Sequence, residues 1–309
     1  MLRWRLFSAG IILAVLLSLL WLDARQAVFG VAGVWLMPVL IVLVVMATEE
    51  MLSLYRAKEL RPVAWVTYAG SVAVALSACL PMFYAFAGRS FSHHQLGRVG
   101  WPFCVFGLAI VAAFAAEMQR FTKPGQSVVN VALSVLAIAY TGLLGSFLAA
   151  LRLIDMGPRG LAAIVSMILV VKLTDTGAYF TGRTLSRFMK THKMTPILSP
   201  GKTWEGIVGG FVFAILGSCA FFTVIQPWIM GEKGDPIPPV WTWIVYGVVL
   251  AISGTLGDLS ESLIKRDMER KDSSTWLPGL GGVLDVLDSI LMSAPPAYLC
   301  WATGMFGPA

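Results

Sequence analysis

Runs of about 20 apolar residues, the length that crosses a bilayer, recur along the whole chain, and few folds accommodate them. They fall at roughly 6–22, 30–47, 63–86, 101–116, 128–149, 161–180, 207–228, 240–259 and 282–301. The polar gaps between them reach only about 25 residues, too few for a soluble domain with its own core. With 57% hydrophobic residues, 13% charged and a mean hydropathy of +0.78, the 309 residues cannot hide their apolar side chains in one soluble core. The expected fold class is all-α, a polytopic integral membrane protein of about nine transmembrane helices. Arg3 and Arg5 ahead of the first run imitate a signal peptide. Asp23-Ala24-Arg25 offers no small-x-small cleavage site, so the run reads as an uncleaved first span.

Orientation follows from the basic residues. With the N-terminus in the cytoplasm, inside segments hold sixteen of the 23 Lys and Arg and outside segments hold six, with Lys172 left inside a span. The net charge of +6 therefore needs no nucleic acid to explain it; it marks a cytoplasmic face suited to anionic lipid headgroups and nucleotides. Cys79, Cys104, Cys219 and Cys300 show no C-x-x-C spacing and read as packing residues. His93-His94 reads as part of an ordinary polar outside loop. Glu49-Glu50 and Glu117 are expected at the cytoplasmic boundary, where charge costs little. Trp35 and Pro38 are expected inside the second span and Pro81 inside the third, with kinks at the prolines. No internal repeat is visible, which counts against a transporter built from inverted halves. The expected division is a transmembrane scaffold of about five helices over 1–160 and a catalytic transmembrane region of about four over 161–309.

Chemistry begins in the sixth run. Lys172, Asp175, Tyr179 and Arg183 are spaced three, four and four apart and so line one helical stripe. Charges there are expensive and seldom face lipid; the alternative to a site is an ion pair that only locks helices together. Further on, Ser199-Pro200 reads as a helix start, a hydroxyl cap followed by proline in the first turn. Such a start points free N–H groups at an anion, and Lys202 adds a full charge. Gly201-Lys202-Thr203 is not a Walker A loop, because Pro196 stands where its first glycine belongs and no βαβ context exists.

The densest polar stretch is Asp258–Asp288, with seven acidic and four basic residues. Thr255, Asp258, Ser262 and Lys265, with Glu261 beside them, share a helical stripe. A turn at Pro278-Gly279 and Gly281-Gly282 precedes a new apolar helix carrying Asp285 and Asp288 three residues apart. Two carboxylates that close repel unless a proton or a cation sits between them; the alternative is one protonated carboxyl, both bonded to a neighbouring helix.

Two blocks of this sequence resemble the phosphatidate cytidylyltransferases, also called CDP-diacylglycerol synthases. The first is Asp175-x-x-Ala178-Tyr179-x-x-Gly182-Arg183 followed by Ser199-Pro200-x-Lys202-Thr203-x-Glu205-Gly206. The second runs from Ser262-x-Ile264-Lys265-Arg266 through Lys271-Asp272-x-Ser274, Leu277-Pro278 and Gly281-Gly282 to Asp285-x-x-Asp288. Together they span about residues 172–290. The family usually has His at the position of Leu280 and Arg at that of Val286, so two natural phosphate or carboxylate partners are missing here. The resemblance implies CTP + phosphatidate → CDP-diacylglycerol + pyrophosphate at the cytoplasmic face of a membrane, most simply a bacterial inner membrane.

The residues suit that chemistry. Two polyanions must meet, so positioning and charge neutralisation dominate, and an ionised phosphate acceptor needs no strong base. Asp258, Asp285 and Asp288 are the expected ligands of Mg²⁺, with a second cation, K⁺ among the candidates, between the last two. Lys202, Lys265, Arg266 and Lys271 are the expected phosphate contacts, and Asp272 is carried by the signature. Asp175, Ser199, Thr203 and Glu205 are expected to form the other wall. Asp175, Lys202, Lys265, Asp285 and Asp288 form the expected catalytic set. Substrates are CTP and phosphatidate in the bilayer, and a homodimer is compatible with the reading. Three alternatives stand beside it: a CTP-dependent polyprenol or lipid-alcohol kinase with Asp175 as base, a cation-coupled transporter, and a non-catalytic scaffold descended from the enzyme.

Overall fold

A computed structural model describes residues 2–25, 28, 31–91, 96–231 and 237–306. His93-His94 and Lys233 lie outside the described residues. Among the described residues ten helical segments follow in chain order: α1 Leu2–Arg25, α2 Met37–Ala57, α3 Ala64–Ser77, α4 Leu80–Phe86, α5 Gly97–Gln119, α6 Ser127–Arg152, α7 Pro158–Leu185, α8 Trp204–Met230, α9 Val240–Asp267 and α10 Val283–Ala302. Among the described residues eight are long and apolar enough to cross a membrane; α3 and α4, bent by 56°, make a ninth if counted as one broken span. Pro81 opens the second half of that broken span, so the expected kink is there.

Pro38 does not kink anything. The second helix begins at Met37, later than the apolar run suggests, so Trp35 precedes it and Pro38 sits in its first turn, where no N–H is missed. The helix then continues through Glu49 and Glu50 to Ala57. Two of these acids are not solvated as a boundary charge would be: Glu50 is 1% exposed, and Glu117 is buried, paired with Arg120 at 2.5 Å and bonded to Asn130 at 2.9 Å, whereas Glu49 keeps 31% exposure and pairs with Arg56 at 2.9 Å.

The chain divides into two compact units, 1–156 with 267–286, and 157–266 with 287–309. In the first, Val63 and Val66 pack on Ala113, Ala116 and Val131, and Val74 packs on Ala109 and Ile138. Small residues bring backbones together, since a Cβ on Gly142 of α6 would lie 2.7 Å from Ser71 Cα of α3. There α6 widens to π-helical turns over Ile138–Leu143, and Thr141 bonds Thr48 at 2.8 Å and Ser71 at 3.1 Å. At the end of α1 the buried Asp23 carboxylate accepts from Arg152 Nε at 2.6 Å and from Gly33 N at 2.9 Å, tying α1 to α6. On a loop, Lys58 donates to Glu269 and holds that carboxyl below the usual range.

In the second unit α7 and α8 pack closely along a seam of glycines. A Cβ on Gly177 or Gly217 would lie 2.5 Å from Phe213 or Leu173, and one on Gly209 would overlap Thr181. Helix α9 repeats the device, Gly247 against the Ile215 backbone and Gly257 against Asp288 O of α10 at 2.5 Å. One end is closed by Phe222 stacked on Trp301 and Phe306, while Ser166 Oγ meets Trp301 Nε1 at 3.2 Å and the Tyr246 hydroxyl at 2.8 Å.

Between α7 and α8 lies a short hairpin, β1 Lys193–Thr195 and β2 Ser199–Thr203, antiparallel with Lys193 opposite Thr203. This corrects the expected helix start at Ser199-Pro200. The helix begins at Trp204, and its cap is Thr203, whose Oγ1 accepts from Gly206 N at 3.1 Å. The segment Ser199–Thr203 is extended because its two ends pair across the hairpin, Ser199 with Thr195 and Thr203 with Lys193.

Candidate active site

The second unit gathers charge on three helices. Asp175 and Lys172 sit one turn apart on α7, 3.6 Å between charged atoms, both about two-fifths exposed. Tyr179 and Arg183 continue the stripe, the guanidinium donating to the phenol oxygen at 2.7 Å. The hairpin delivers Lys202 to α9, where its ammonium meets Asp258 Oδ2 at 2.8 Å and the Thr255 carbonyl at 3.3 Å. Asp175 therefore has Lys172, Lys202 and Asp258 as charged neighbours. Asp288 of α10 has Asp258, Lys172 and Asp175. Asp175 thus pairs with Lys172 and Asp258 with Lys202, while Asp288 lies within electrostatic reach of both carboxylates and of Lys172.

The close approach of α9 and α10 at Gly257 is what sets Asp258 beside Asp288. Both hydrogen bonds to Asp288, from Ser289 N at 2.5 Å and Ser289 Oγ at 3.0 Å, fall on Oδ1. Among the described residues no donor engages its Oδ2. A turn further along α9, Lys265 pairs with the buried Glu261 at 2.5 Å, so its charge is already matched. Arg266 donates to the Leu198 carbonyl at 3.4 Å. Glu205, in the first turn of α8, accepts from His192 N at 3.1 Å and His192 Nδ1 at 2.8 Å, which fixes the strand leading into the hairpin. Ser199 and Thr203 lie in β2, Thr203 spent on the helix cap.

The first unit holds the signature turn. Asp285 Oδ2 accepts from Ser273 N at 3.1 Å, Ser273 Oγ at 2.7 Å and Gly282 N at 2.7 Å. Beside it lies Glu50, which sequence reasoning missed. Its Oε1 accepts from Ser274 Oγ at 2.7 Å and Val283 N at 2.8 Å; its Oε2 accepts from Ser273 Oγ at 2.9 Å and Leu284 N at 2.8 Å. Lys271 and Asp272 stand exposed.

Among the described residues no three His, Cys, Asp or Glu side chains close into a metal cage. The donor chemistry nevertheless fits Mg²⁺, which takes oxygen ligands and is held by one or two carboxylates together with substrate phosphates rather than by an all-protein cage. Asp258 and Asp288 offer such a pair, with the Asp288 Oδ2 unengaged.

A model of the cytidylyltransferase family matches residues 3–303. Among curated relatives, the chain is 37% identical over 169 residues to a phosphatidate cytidylyltransferase of Staphylococcus saprophyticus, covering 55% of this chain and 58% of that one. It is 37% identical over 167 residues to one of Bacillus subtilis, covering 54% and 56%, and 35% identical over 137 residues to one of Haemophilus influenzae, covering 44% of each. The alignments thus span about half the length of these relatives.

Proposed function

Because this chain belongs to the cytidylyltransferase family, we propose that it is a phosphatidate cytidylyltransferase, joining CTP and phosphatidate into CDP-diacylglycerol and pyrophosphate. The observation that carries the reading is the cluster of Asp175, Asp258 and Asp288 on three spans, with Lys172 beside Asp175 and the hairpin's Lys202 on Asp258. A phosphatidate oxygen attacks the α-phosphorus of CTP, a new P–O bond forms, and the α–β anhydride bond breaks as pyrophosphate leaves. Both reactants arrive as anions, so the site's work is to hold them in line and to offset their charge. Lys202 and Lys172 stand ready to pass from carboxylate to phosphate partners. Asp175 keeps Lys172 in place, and the hairpin, anchored by Glu205 and His192, keeps Lys202 in place.

Mg²⁺ would be held by Asp258 and Asp288, where it supplies charge neutralisation for the phosphates and the leaving group. The i, i+3 spacing also makes Asp285 a candidate ligand, although three local donors already engage its Oδ2. The excess of Lys and Arg on one set of loops supports a cytoplasmic N-terminus and cluster, and the bacterial source of the relatives supports a bacterial inner membrane.

The test is to incubate the purified protein with CTP, Mg²⁺ and mixed micelles that carry phosphatidate or, in a parallel assay, a polyprenol. CDP-diacylglycerol and pyrophosphate in equal amounts are expected. Release of CDP with a phosphorylated lipid alcohol would instead make the protein a kinase, and no turnover of either kind would make it a scaffold.

A further inference from the structure

Burying a carboxylate is costly unless donors surround it, and Glu50 is 1% exposed with three donors of its own and a fourth, the Ser273 hydroxyl, whose one proton it shares with Asp285. All four lie in the signature turn or in the first turn of α10. Helices usually take their cap from the residue just before them, a Ser, Thr, Asp or Asn. Here that residue is Gly282, and a Cβ there would overlap Ser273 Oγ and Glu50 Oε2. The cap is therefore imported from α2, 233 residues upstream of Val283. The negative charge meets the positive end of a 20-residue helix, where it is most favourable. Ser273 Oγ stands 2.9 Å from Glu50 Oε2 and 2.7 Å from Asp285 Oδ2, so one hydroxyl links the imported cap to the first aspartate of the helix.

We propose that Glu50 is a positioning residue for nucleotidyl transfer: it fixes where α10 starts and in which register that helix presents Asp285 and, one turn on, Asp288. A local cap would satisfy the same N–H groups while leaving the helix start free to shift against α2. A carboxylate on a neighbouring span that binds two backbone N–H groups and two serines fixes the start in place. The catalytic part of this inference rests on the cytidylyltransferase reading; the clamp itself does not.

The decisive variant is Glu50→Gln. Each carboxylate oxygen accepts one backbone N–H and one hydroxyl, and the hydroxyl can turn but the backbone N–H cannot. The amide NH₂ of Gln must therefore face a backbone donor. Wild type, Glu50→Gln and Glu50→Asp are compared as purified full chains in nanodiscs by hydrogen exchange over 273–284 and by kcat per folded molecule. Glu50→Gln is expected to exchange faster at Val283 and Leu284 and to lose about tenfold in kcat, with a smaller change in KM for CTP. Glu50→Asp keeps the charge and is expected to recover part of both. A purely structural role would lower the folded yield and leave kcat per folded molecule unchanged, which overturns the proposal. Wild-type exchange in Glu50→Gln, or an Asp variant no better than Gln, overturns it too. If wild type makes no CDP-diacylglycerol, the functional reading fails by itself, and the exchange data still decide the clamp.

Discussion

Lys202→Met keeps most of the bulk of the side chain and removes only its ammonium. That group meets Asp258 Oδ2 at 2.8 Å and the Thr255 carbonyl at 3.3 Å, with the Lys202 side chain 19% exposed and that of Asp258 39%. At such exposure solvent screens the pair, and its loss should cost at most about 1 kcal/mol of stability. The cost to catalysis should be larger. A charge-assisted contact to a substrate phosphate contributes about 1.5–3 kcal/mol, and at 1.36 kcal/mol per decade that is about 10- to 150-fold in kcat/KM. The two magnitudes separate the roles: a counter-ion for Asp258 affects the melting midpoint, a phosphate contact affects turnover. Pyrophosphate release measured against CTP and, separately, against the surface fraction of phosphatidate shows which substrate Lys202 serves. A companion Lys202→Met/Asp258→Asn variant removes both charges, and it should regain stability without regaining activity. If kcat/KM for both substrates stays within about twofold of wild type, Lys202 lies outside the reaction and the cluster is an ion-pair network.

Asp288→Asn should reduce turnover to background, with thermal stability unchanged or raised because one of three like charges is gone; near-normal turnover at low Mg²⁺ would remove Asp288 from the metal. Thr203→Ala deletes the side-chain cap of α8 and should lower stability by about 1 kcal/mol in a denaturation series; an unchanged midpoint would show that the hairpin alone sets the helix start. Leu280→His and Val286→Arg, singly and together, should leave an already active parent within a few-fold of its rate in the pyrophosphate assay. An inactive parent that gains activity only in the double variant would show that the chain has lost the reaction.

The spans were legible because the bilayer imposes a length and a composition that no side-chain detail can override. Helical stripes were legible for the same kind of reason: a spacing of three or four puts Asp175 beside Lys172 and Lys265 beside Glu261 wherever the helix runs. What failed was local. Ser199-Pro200 carries a good cap signal, yet Lys193–Thr195 supplies a pairing strand, and Thr203, the cap actually used, has the same chemistry four residues later. Glu50 failed differently. Nothing in its own neighbourhood marks it, since its partners are more than 220 residues away in sequence. The one available signal was negative, a helix opening at Val283 with glycine where a capping side chain belongs. An uncapped buried helix start needs an acceptor from elsewhere, and here Glu50 is that acceptor.

The same reasoning bears on the two departures at 280 and 286. The turn is closed by backbone alone: Leu277 N meets Gly281 O at 2.9 Å, and Leu280 N and Gly281 N return to Leu277 O at 2.9 and 3.1 Å. Gly279 and Gly281 supply the positive φ values, 80° and 94°, that the reversal needs. Residue 280 contributes no side-chain bond to this closure, so Leu is tolerated there. Residue 286 lies about 100° around the helix from Asp285. Asp285 Oδ2 is engaged by Ser273 and Gly282 and so needs no arginine at 286 to aim it. The departures thus remove positive charge near the signature turn and leave its scaffold whole. Arg270 and Lys271, both exposed in the same unit, keep positive charge close to that turn. A loss of charge with the carboxylates still positioned affects phosphate affinity before it affects the chemical step. KM for CTP is therefore the parameter in which Leu280 and Val286 should first be felt.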